Sequence, residues 1–205
     1  IEYILLCIWF SISVIPLQYY VGIIGYQLEE MGDDDGFYTD IFAYTYAGAA
    51  ITSPLAGFAA DKFGLGVAQA LSTFFVAISF FFLASSTNLN VQVIGLVTYG
   101  IGRMGIFGLF FTNCGKRFGY KNYGTLAGLG LLTSAICSIF QYILIGWTVS
   151  GYATIVNFVL GAILIAQAPY FGWLYRREKF YESAISVKKN KFVVTSVVSL
   201  LELIS

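Results

Sequence analysis

The sequence contains no histidine, and only 11% of its 205 residues are charged, divided equally into 11 basic and 11 acidic residues. Soluble domains carry roughly 25% charged residues. Zero net charge and the lack of histidine leave nucleic-acid binding and histidine-centred metal or catalytic sites without support. The sequence also has no nucleotide-binding loop, no serine elbow and no paired carboxylates within an apolar stretch. It therefore predicts a protein that is not an enzyme and that uses no metal or cofactor.

Cysteine is scarce as well. Cys7, Cys114 and Cys137 all lie in apolar surroundings, and their spacing does not match a metal-binding pattern. We therefore interpret them as small packing residues, not as a disulfide framework.

Apolar residues make up 58% of the chain and are collected into long stretches, each of which can cross a bilayer that needs about 20 apolar residues per helix. These stretches fall near residues 3–28, 38–60, 67–85, 91–113, 124–149 and 152–174. They do not alternate as the strands of a membrane barrel would, and the first is too long for a signal peptide. The sequence predicts an all-α membrane protein with six transmembrane helices in residues 1–178 and a cytoplasmic tail over 179–205.

The gaps between the stretches differ in charge. The first gap holds five acidic residues, Glu29, Glu30, Asp33, Asp34 and Asp35. Residues 85–90 form an uncharged third gap, and residues 150–151 make a tight fifth gap. Every basic residue except Arg103 lies in the second gap, the fourth gap or the tail: Lys62, Lys116, Arg117, Lys121, Arg176, Arg177, Lys179, Lys188, Lys189 and Lys191. By the positive-inside rule this face is cytoplasmic, so both termini are predicted to be cytoplasmic. Plasma and organelle membranes both remain open.

The tail ends in an apolar run, residues 193–201, which is too short to span a membrane. We expect an untethered tail, with a short interfacial helix as the alternative.

The second gap contains Gly57, Asp61-Lys62 and Gly64 in the pattern Gly-x-x-x-Asp-Lys-x-Gly. Between the second and third stretches and on the basic side, this pattern resembles the signature loop of the major facilitator superfamily, in which the acidic residue helps to hold one conformational state. A basic pair is absent after the last glycine, where Leu65-Gly66 stands instead, so the loop looks like the copy in the second half of such a protein.

A closer resemblance covers nearly the whole chain and is carried by 36–38, 53–57 with Asp61, Arg103, 123–129, 134–135, 140–141 and 175–177. In these segments the sequence is similar to the second half of the system-L-type large neutral amino acid transporters, solute carrier family 43. The resemblance implies one half of a major-facilitator fold, built as a 3+3 repeat. It also implies as partner a missing N-terminal six-helix half or a second chain; with no initial methionine, we expect a fragment.

Arg103 lies in the middle of the fourth stretch, where insertion of an arginine costs roughly 2.5–3.5 kcal/mol. No acidic residue lies mid-stretch to neutralise it. Three partners are open: a carboxylate of the other half, the carboxylate of a bound amino acid, or backbone carbonyls and tyrosine oxygens. A structural role and a substrate-binding role are both compatible with this pattern.

The first stretch carries Gln18, Tyr19 and Tyr20 near its middle. The first and fourth spans of each half line the solute path in the family that the chain resembles, so we predict that these residues bind substrate together with Arg103. Packing is the alternative, because tyrosine is abundant. Gly124 and Gly128, four residues apart, predict close helix packing.

With these observations, the resemblance implies alternating-access transport of a small organic solute, as facilitated transport of large neutral amino acids. Two alternatives remain. The first is a transporter of another solute in the same superfamily, such as a sugar, nitrate or an organic anion. The second is a non-transporting membrane scaffold subunit.

Overall fold

The computed structural model describes residues 2–181, which are almost entirely helical and include no strand. Short 3-10 turns connect α2 to α3 and α6 to α7. The helices are α1 (Glu2–Glu30), α2 (Phe37–Ala49), α3 (Ser53–Phe63), α4 (Leu65–Ser85), α5 (Leu89–Phe118), α6 (Tyr123–Cys137), α7 (Gln141–Trp147), α8 (Ala153–Ile165) and α9 (168–181). Between its ends, a helix pairs its backbone donors and acceptors within the segment, which apolar surroundings require.

The last long helical run turns back on itself at Gly151, which has a φ of 95° inside an otherwise helical segment. The hydroxyl oxygen of Tyr19 lies 2.7 Å from Thr148 Oγ1, before this glycine, and 3.1 Å from Asn157 Oδ1, after it. The chain therefore doubles back here, and α6–α7 and α8–α9 form two antiparallel segments.

Helices α1 and α5 cross the centre of the bundle in opposite directions. The ring of Phe10 stacks on that of Phe110 at 3.9 Å, and the ring of Tyr20 stacks on that of Tyr99 at the same distance. All four side chains are fully buried. The main core of the protein lies along this contact.

Helix α4 packs closely against α5 because small residues meet at the crossing. A Cβ atom added to Gly102 would lie 2.7 Å from the carbonyl oxygen of Ser72 and 2.9 Å from the amide nitrogen of Val76. Only glycine allows the two backbones to approach this closely.

The prediction of an all-helical protein is confirmed for residues 2–181. Among residues 2–181, four helices are long and apolar enough to cross a membrane, and one of them is the run that reverses at Gly151. They are Glu2–Glu30, Leu65–Ser85, Leu89–Phe118 and Tyr120–Tyr181. The second predicted span, 38–60, is divided between α2 and α3. Six spans and a major-facilitator half stay predictions.

Charged side chains gather at one end of the bundle, which we call the basic end. Lys116 pairs there with Asp61, while Arg117 and Arg177 both pair with Glu2. The predicted tail begins at this end: residues 179–181 continue α9, and the rest of the tail lies outside the described residues.

At the opposite end, Asp33 caps the start of α2. Its carboxylate accepts hydrogen bonds from the Tyr38 amide at 3.0 Å, the Thr39 amide at 2.9 Å and the Thr39 hydroxyl at 3.0 Å. Burial alone would raise the pKa of the Asp33 carboxyl, but these hydrogen bonds outweigh it and lower the pKa below its ordinary value of 3.8. The carboxylate therefore stabilises the turn between α1 and α2 in its charged form.

Candidate functional site

Arg103 lies in the middle of α5, between α1 and α2. Its Nη1 donates hydrogen bonds to the carbonyl oxygen of Leu17 at 3.2 Å and to the hydroxyl oxygen of Tyr99 at 3.0 Å. The guanidinium carbon lies 5.2 Å from the ring centroid of Tyr46 and 5.3 Å from that of Phe107. Neutral oxygens and two aromatic faces therefore hold the cation in place.

The guanidinium keeps unused donors. Within residues 2–181, all hydrogen bonds of Arg103 come from Nη1, and no carboxylate pairs with the side chain. The side chain is half-buried, and neither Nε nor Nη2 is a buried, unpaired atom. Of the three partners that the sequence left open, backbone carbonyl and tyrosine oxygens are the ones that Nη1 contacts. Nε and Nη2 share one edge of the planar guanidinium, the geometry that binds a carboxylate through two parallel hydrogen bonds.

Tyr99 is the residue of this site that the sequence analysis missed. Its hydroxyl donates to the carbonyl oxygen of Leu17 at 2.6 Å and accepts from Arg103. Tyr20 stacks on its ring, and the buried Tyr20 hydroxyl has no hydrogen-bond partner among the described residues. The signal was present, because Tyr99 stands four residues before Arg103 and so lies on the same face of the helix.

Tyr19 points to a different part of the bundle. Gln27 Nε2 donates to its hydroxyl at 3.1 Å, Thr148 lies at 2.7 Å, and Asn157 Nδ2 donates to Gln27 Oε1 at 2.8 Å. These side chains form a buried polar cluster beside the reversal at Gly151. Gln18 is half-buried and makes no hydrogen bond with described residues. The structure thus links Tyr20 to Arg103 through Tyr99, but not Tyr19.

The predicted conformational loop lies at the basic end. Asp61 forms an exposed ion pair with Lys116 from the end of α5, and Lys62 lies over aromatic rings at the end of α3. Gly64 adopts a φ of 90°, which permits the turn from α3 to α4, whereas a Cβ atom on Gly57 would meet nothing within 4 Å. The ion pair between Asp61 and Lys116 therefore links the end of α3 to the end of α5, and it is accessible to solvent.

A second feature that the sequence analysis missed is the carboxylate of Glu178, which caps α4 from the last helix. Its Oε1 accepts from the Leu65 amide at 2.9 Å, and its Oε2 accepts from the Gly66 amide at 3.0 Å. A carboxylate is favourable at a helix N-terminus, where amide donors are free and the helix dipole is positive. The start of α4 has only Gly64 as its own cap, which offers no side-chain acceptor.

Gly124 and Gly128, predicted as packing residues, face open space: a Cβ atom added to either meets nothing within 4 Å. Much of the surrounding face of α6 and α7 is apolar and exposed, including Leu132, Ile136 and Tyr142. Close helix packing at these two glycines stays a prediction, because no described residue packs against them.

No family model, curated protein or solved structure matches the chain.

Proposed function

We propose that the chain is one six-helix half of a major-facilitator-type transporter that moves large neutral amino acids by alternating access. The observation that carries this proposal is that the Arg103 guanidinium donates hydrogen bonds from Nη1 and leaves Nε and Nη2 available. A charge in the middle of an apolar helix costs roughly 2.5–3.5 kcal/mol, and it is typical of a substrate pathway or an internal pairing. Internal pairing here uses Nη1 only.

The course of the chain supports six spans. The run Tyr120–Tyr181 contributes two spans because it reverses at Gly151, and α2 with α3 contributes one over residues 37–63. With α1, α4 and α5, this proposal gives six spans. The basic end faces the cytoplasm by the positive-inside rule, so both ends of the described chain lie on that side.

The surroundings of Arg103 favour a solute that combines a carboxylate with an apolar side chain. Nε and Nη2 receive the carboxylate, while the nearby rings of Tyr46 and Phe107 offer apolar surface. A large neutral amino acid has both features, whereas a sugar has no carboxylate and nitrate has no side chain. Because the described residues place no acid next to Arg103, proton coupling has no support here and facilitated transport is the simpler mechanism.

A second bundle completes the site. The exposed apolar face of α6 and α7 is the surface on which that bundle packs, and Gly124 and Gly128 permit its close approach. As the two bundles rock, the pair between Asp61 and Lys116 regulates closure at the basic end.

Uptake of radiolabelled leucine by the full-length protein in cells tests this proposal. We expect uptake that phenylalanine inhibits and glucose or nitrate does not. Arg103→Ala should reduce uptake by about tenfold or more, since hydrogen bonds to charged groups contribute about 1.5–3 kcal/mol. Arg103→Lys should restore part of it, because a lysine keeps the charge but not the fork.

The matched control is Lys121→Ala, which removes an exposed basic residue at the turn after α5. It should transport at the wild-type rate. Membrane abundance is measured for each variant. Normal abundance of Arg103→Ala with unchanged leucine uptake would contradict the proposal, as would no leucine uptake by the wild-type protein.

A further inference from the structure

An apolar groove runs along the outside of the bundle between α4 and α8–α9. Its volume is about 560 Å³, and its walls are almost wholly apolar. Ala70, Ala168 and Gly172 keep it open, and Phe74, more than half exposed, forms its outer edge. None of the residues that surround Arg103 lines it. A groove of this kind on a membrane-facing surface fits a hydrocarbon chain.

The groove opens at the basic end into a charged pocket of about 790 Å³. Tyr175 lines both, and the neighbours Leu65 and Gly66 line one each. Lys62 and Lys179 lie on the wall of this pocket. The two cavities therefore form one continuous surface with an apolar part and a cationic part.

The acidic residues of this pocket are already engaged. Asp61 pairs with Lys116, and the Glu178 carboxylate accepts hydrogen bonds from the backbone at the start of α4. Lys62 has no carboxylate partner among residues 2–181 and contacts only aromatic rings. Its ammonium can therefore bind an anion without breaking an existing pair.

We propose that this surface binds one anionic phospholipid, with an acyl chain in the groove and the phosphate beside Lys62 and Lys179. Basic pockets between membrane helices on the cytoplasmic side bind anionic lipid headgroups, and anionic lipids are enriched in that leaflet. The proposal rests on the membrane orientation given under the proposed function. It does not depend on transport or on the identity of the solute.

Native mass spectrometry of the purified full-length protein in detergent tests the proposal. Phosphatidylglycerol and phosphatidylcholine with identical acyl chains are added at equal concentrations, and glycerophosphoglycerol serves as the soluble headgroup without chains. We expect phosphatidylglycerol to bind about tenfold more tightly than phosphatidylcholine, a difference of about 1.4 kcal/mol. Glycerophosphoglycerol should not displace it, because the acyl chain contributes to binding. Equal binding of the two lipids, or displacement by the soluble headgroup, overturns the proposal.

Two variants separate the parts of the surface. The double change Lys62→Gln and Lys179→Gln should abolish the preference for phosphatidylglycerol. Gly172→Leu should weaken the binding of both lipids. A Cβ atom at this position meets nothing within 4 Å, so the larger side chain can extend into the groove and fill it. Gly146→Leu is the control: its position on α7 is equally open and lies outside the groove.

Each variant is checked for wild-type thermal unfolding before lipid is added. In a folded protein, a wild-type preference for phosphatidylglycerol after the lysine change overturns the proposal, as does wild-type affinity for both lipids after the groove change. Leucine uptake is measured separately, so a failure of lipid binding and a failure of the transport proposal are distinguishable.

Discussion

Tyr99 and Arg103 hold each other in place on α5. The Tyr99 hydroxyl both accepts from Nη1 of Arg103 and donates to the Leu17 carbonyl oxygen, so one oxygen fixes the cation against α1. Stacking on Tyr20 fixes the tyrosine ring in turn. A guanidinium held at one nitrogen is oriented in advance, which lowers the entropy lost when a solute binds.

Tyr99→Phe tests this arrangement because it removes the hydroxyl and keeps the stacked ring. We expect a loss of about 1 kcal/mol in the free energy of unfolding, since the Leu17 carbonyl oxygen loses a buried partner. The KM for leucine should rise several-fold through the loss of orientation, with a smaller change in maximal rate. Tyr44→Phe, at a position 76% exposed, is the control and should change neither quantity. A Tyr99→Phe protein with wild-type KM would show that the hydroxyl does not position Arg103.

Asp33 gives a prediction about pH. Its pKa is lower in the folded protein than its ordinary value of 3.8, so its contribution to stability is complete above that value and is lost as the pH falls below it. Asp33→Ala should lower the free energy of unfolding by about 1–2 kcal/mol at pH 7, as expected for a lost helix cap. Thermal unfolding in detergent measures the difference, which should shrink as the pH falls below 3.8. A difference that stays constant down to about pH 2 would contradict the role of the charged form.

The sequence was informative about Arg103 and not about its partners. A charged residue inside an apolar stretch is visible from composition alone, but the choice between carbonyl, tyrosine and carboxylate partners depends on how α1 and α5 cross. The sequence also did not show which of Tyr19 and Tyr20 faces Arg103. Adjacent residues on a helix point in directions about 100° apart, so Tyr19 and Tyr20 could not both face Arg103.

Among the helices, Gly66 lies in a tight helix contact and Gly172 on an open surface. A Cβ atom at Gly66 would lie 2.8 Å from the Tyr175 amide nitrogen and 3.1 Å from the Phe171 carbonyl oxygen, whereas one at Gly172 meets nothing within 4 Å. Gly66→Ala should therefore cost about 1–3 kcal/mol by forcing α4 and α9 apart. Gly172→Ala should be neutral or slightly stabilising.

Thermal unfolding of both variants in the same detergent measures these changes. Equal melting temperatures for Gly66→Ala and Gly172→Ala would contradict the close approach of α4 to α9.

Helices were easier to predict than their interruptions. The apolar stretches correctly placed the helical regions, because length and hydropathy decide them. The division of residues 38–60 into α2 and α3 was not predicted, although Pro54 stands in the first turn of α3, where its missing amide donor is tolerated. Local bends of this kind depend on neighbouring helices as well as on the proline.

In the whole molecule, we predict that the two ends of the bundle lie on opposite sides of the membrane. Thr87→Cys, at an exposed position in the turn between α4 and α5, should react with a membrane-impermeant maleimide added outside intact cells. Asn122→Cys, in the turn at the basic end, should react only after the membrane is permeabilised. The protein without added cysteines gives the background. Labelling of both positions from the same side would contradict an odd number of passes between them and the predicted orientation.

The exposed apolar face of α6 and α7 gives a prediction about assembly. If a second bundle packs on Gly128, then Gly128→Trp should block that packing and reduce leucine uptake by about tenfold. Gly146→Trp, at an equally open position on α7, is compared with it. Cross-linking across the predicted contact reports assembly directly. Unchanged cross-linking and uptake in Gly128→Trp would mean that this face is covered by lipid alone.

If Arg103 binds the carboxylate of the solute, the protein should discriminate against a solute that lacks it. Competition of leucine uptake by leucinol tests this, because leucinol has the same apolar side chain and amino group but no carboxylate. The wild-type protein should prefer leucine to leucinol by about tenfold to a hundredfold, the range given by a charge-assisted hydrogen bond. In Arg103→Lys, whose residual uptake allows the same measurement, this ratio should fall. Equal inhibition by leucine and leucinol in the wild-type protein would contradict the claim.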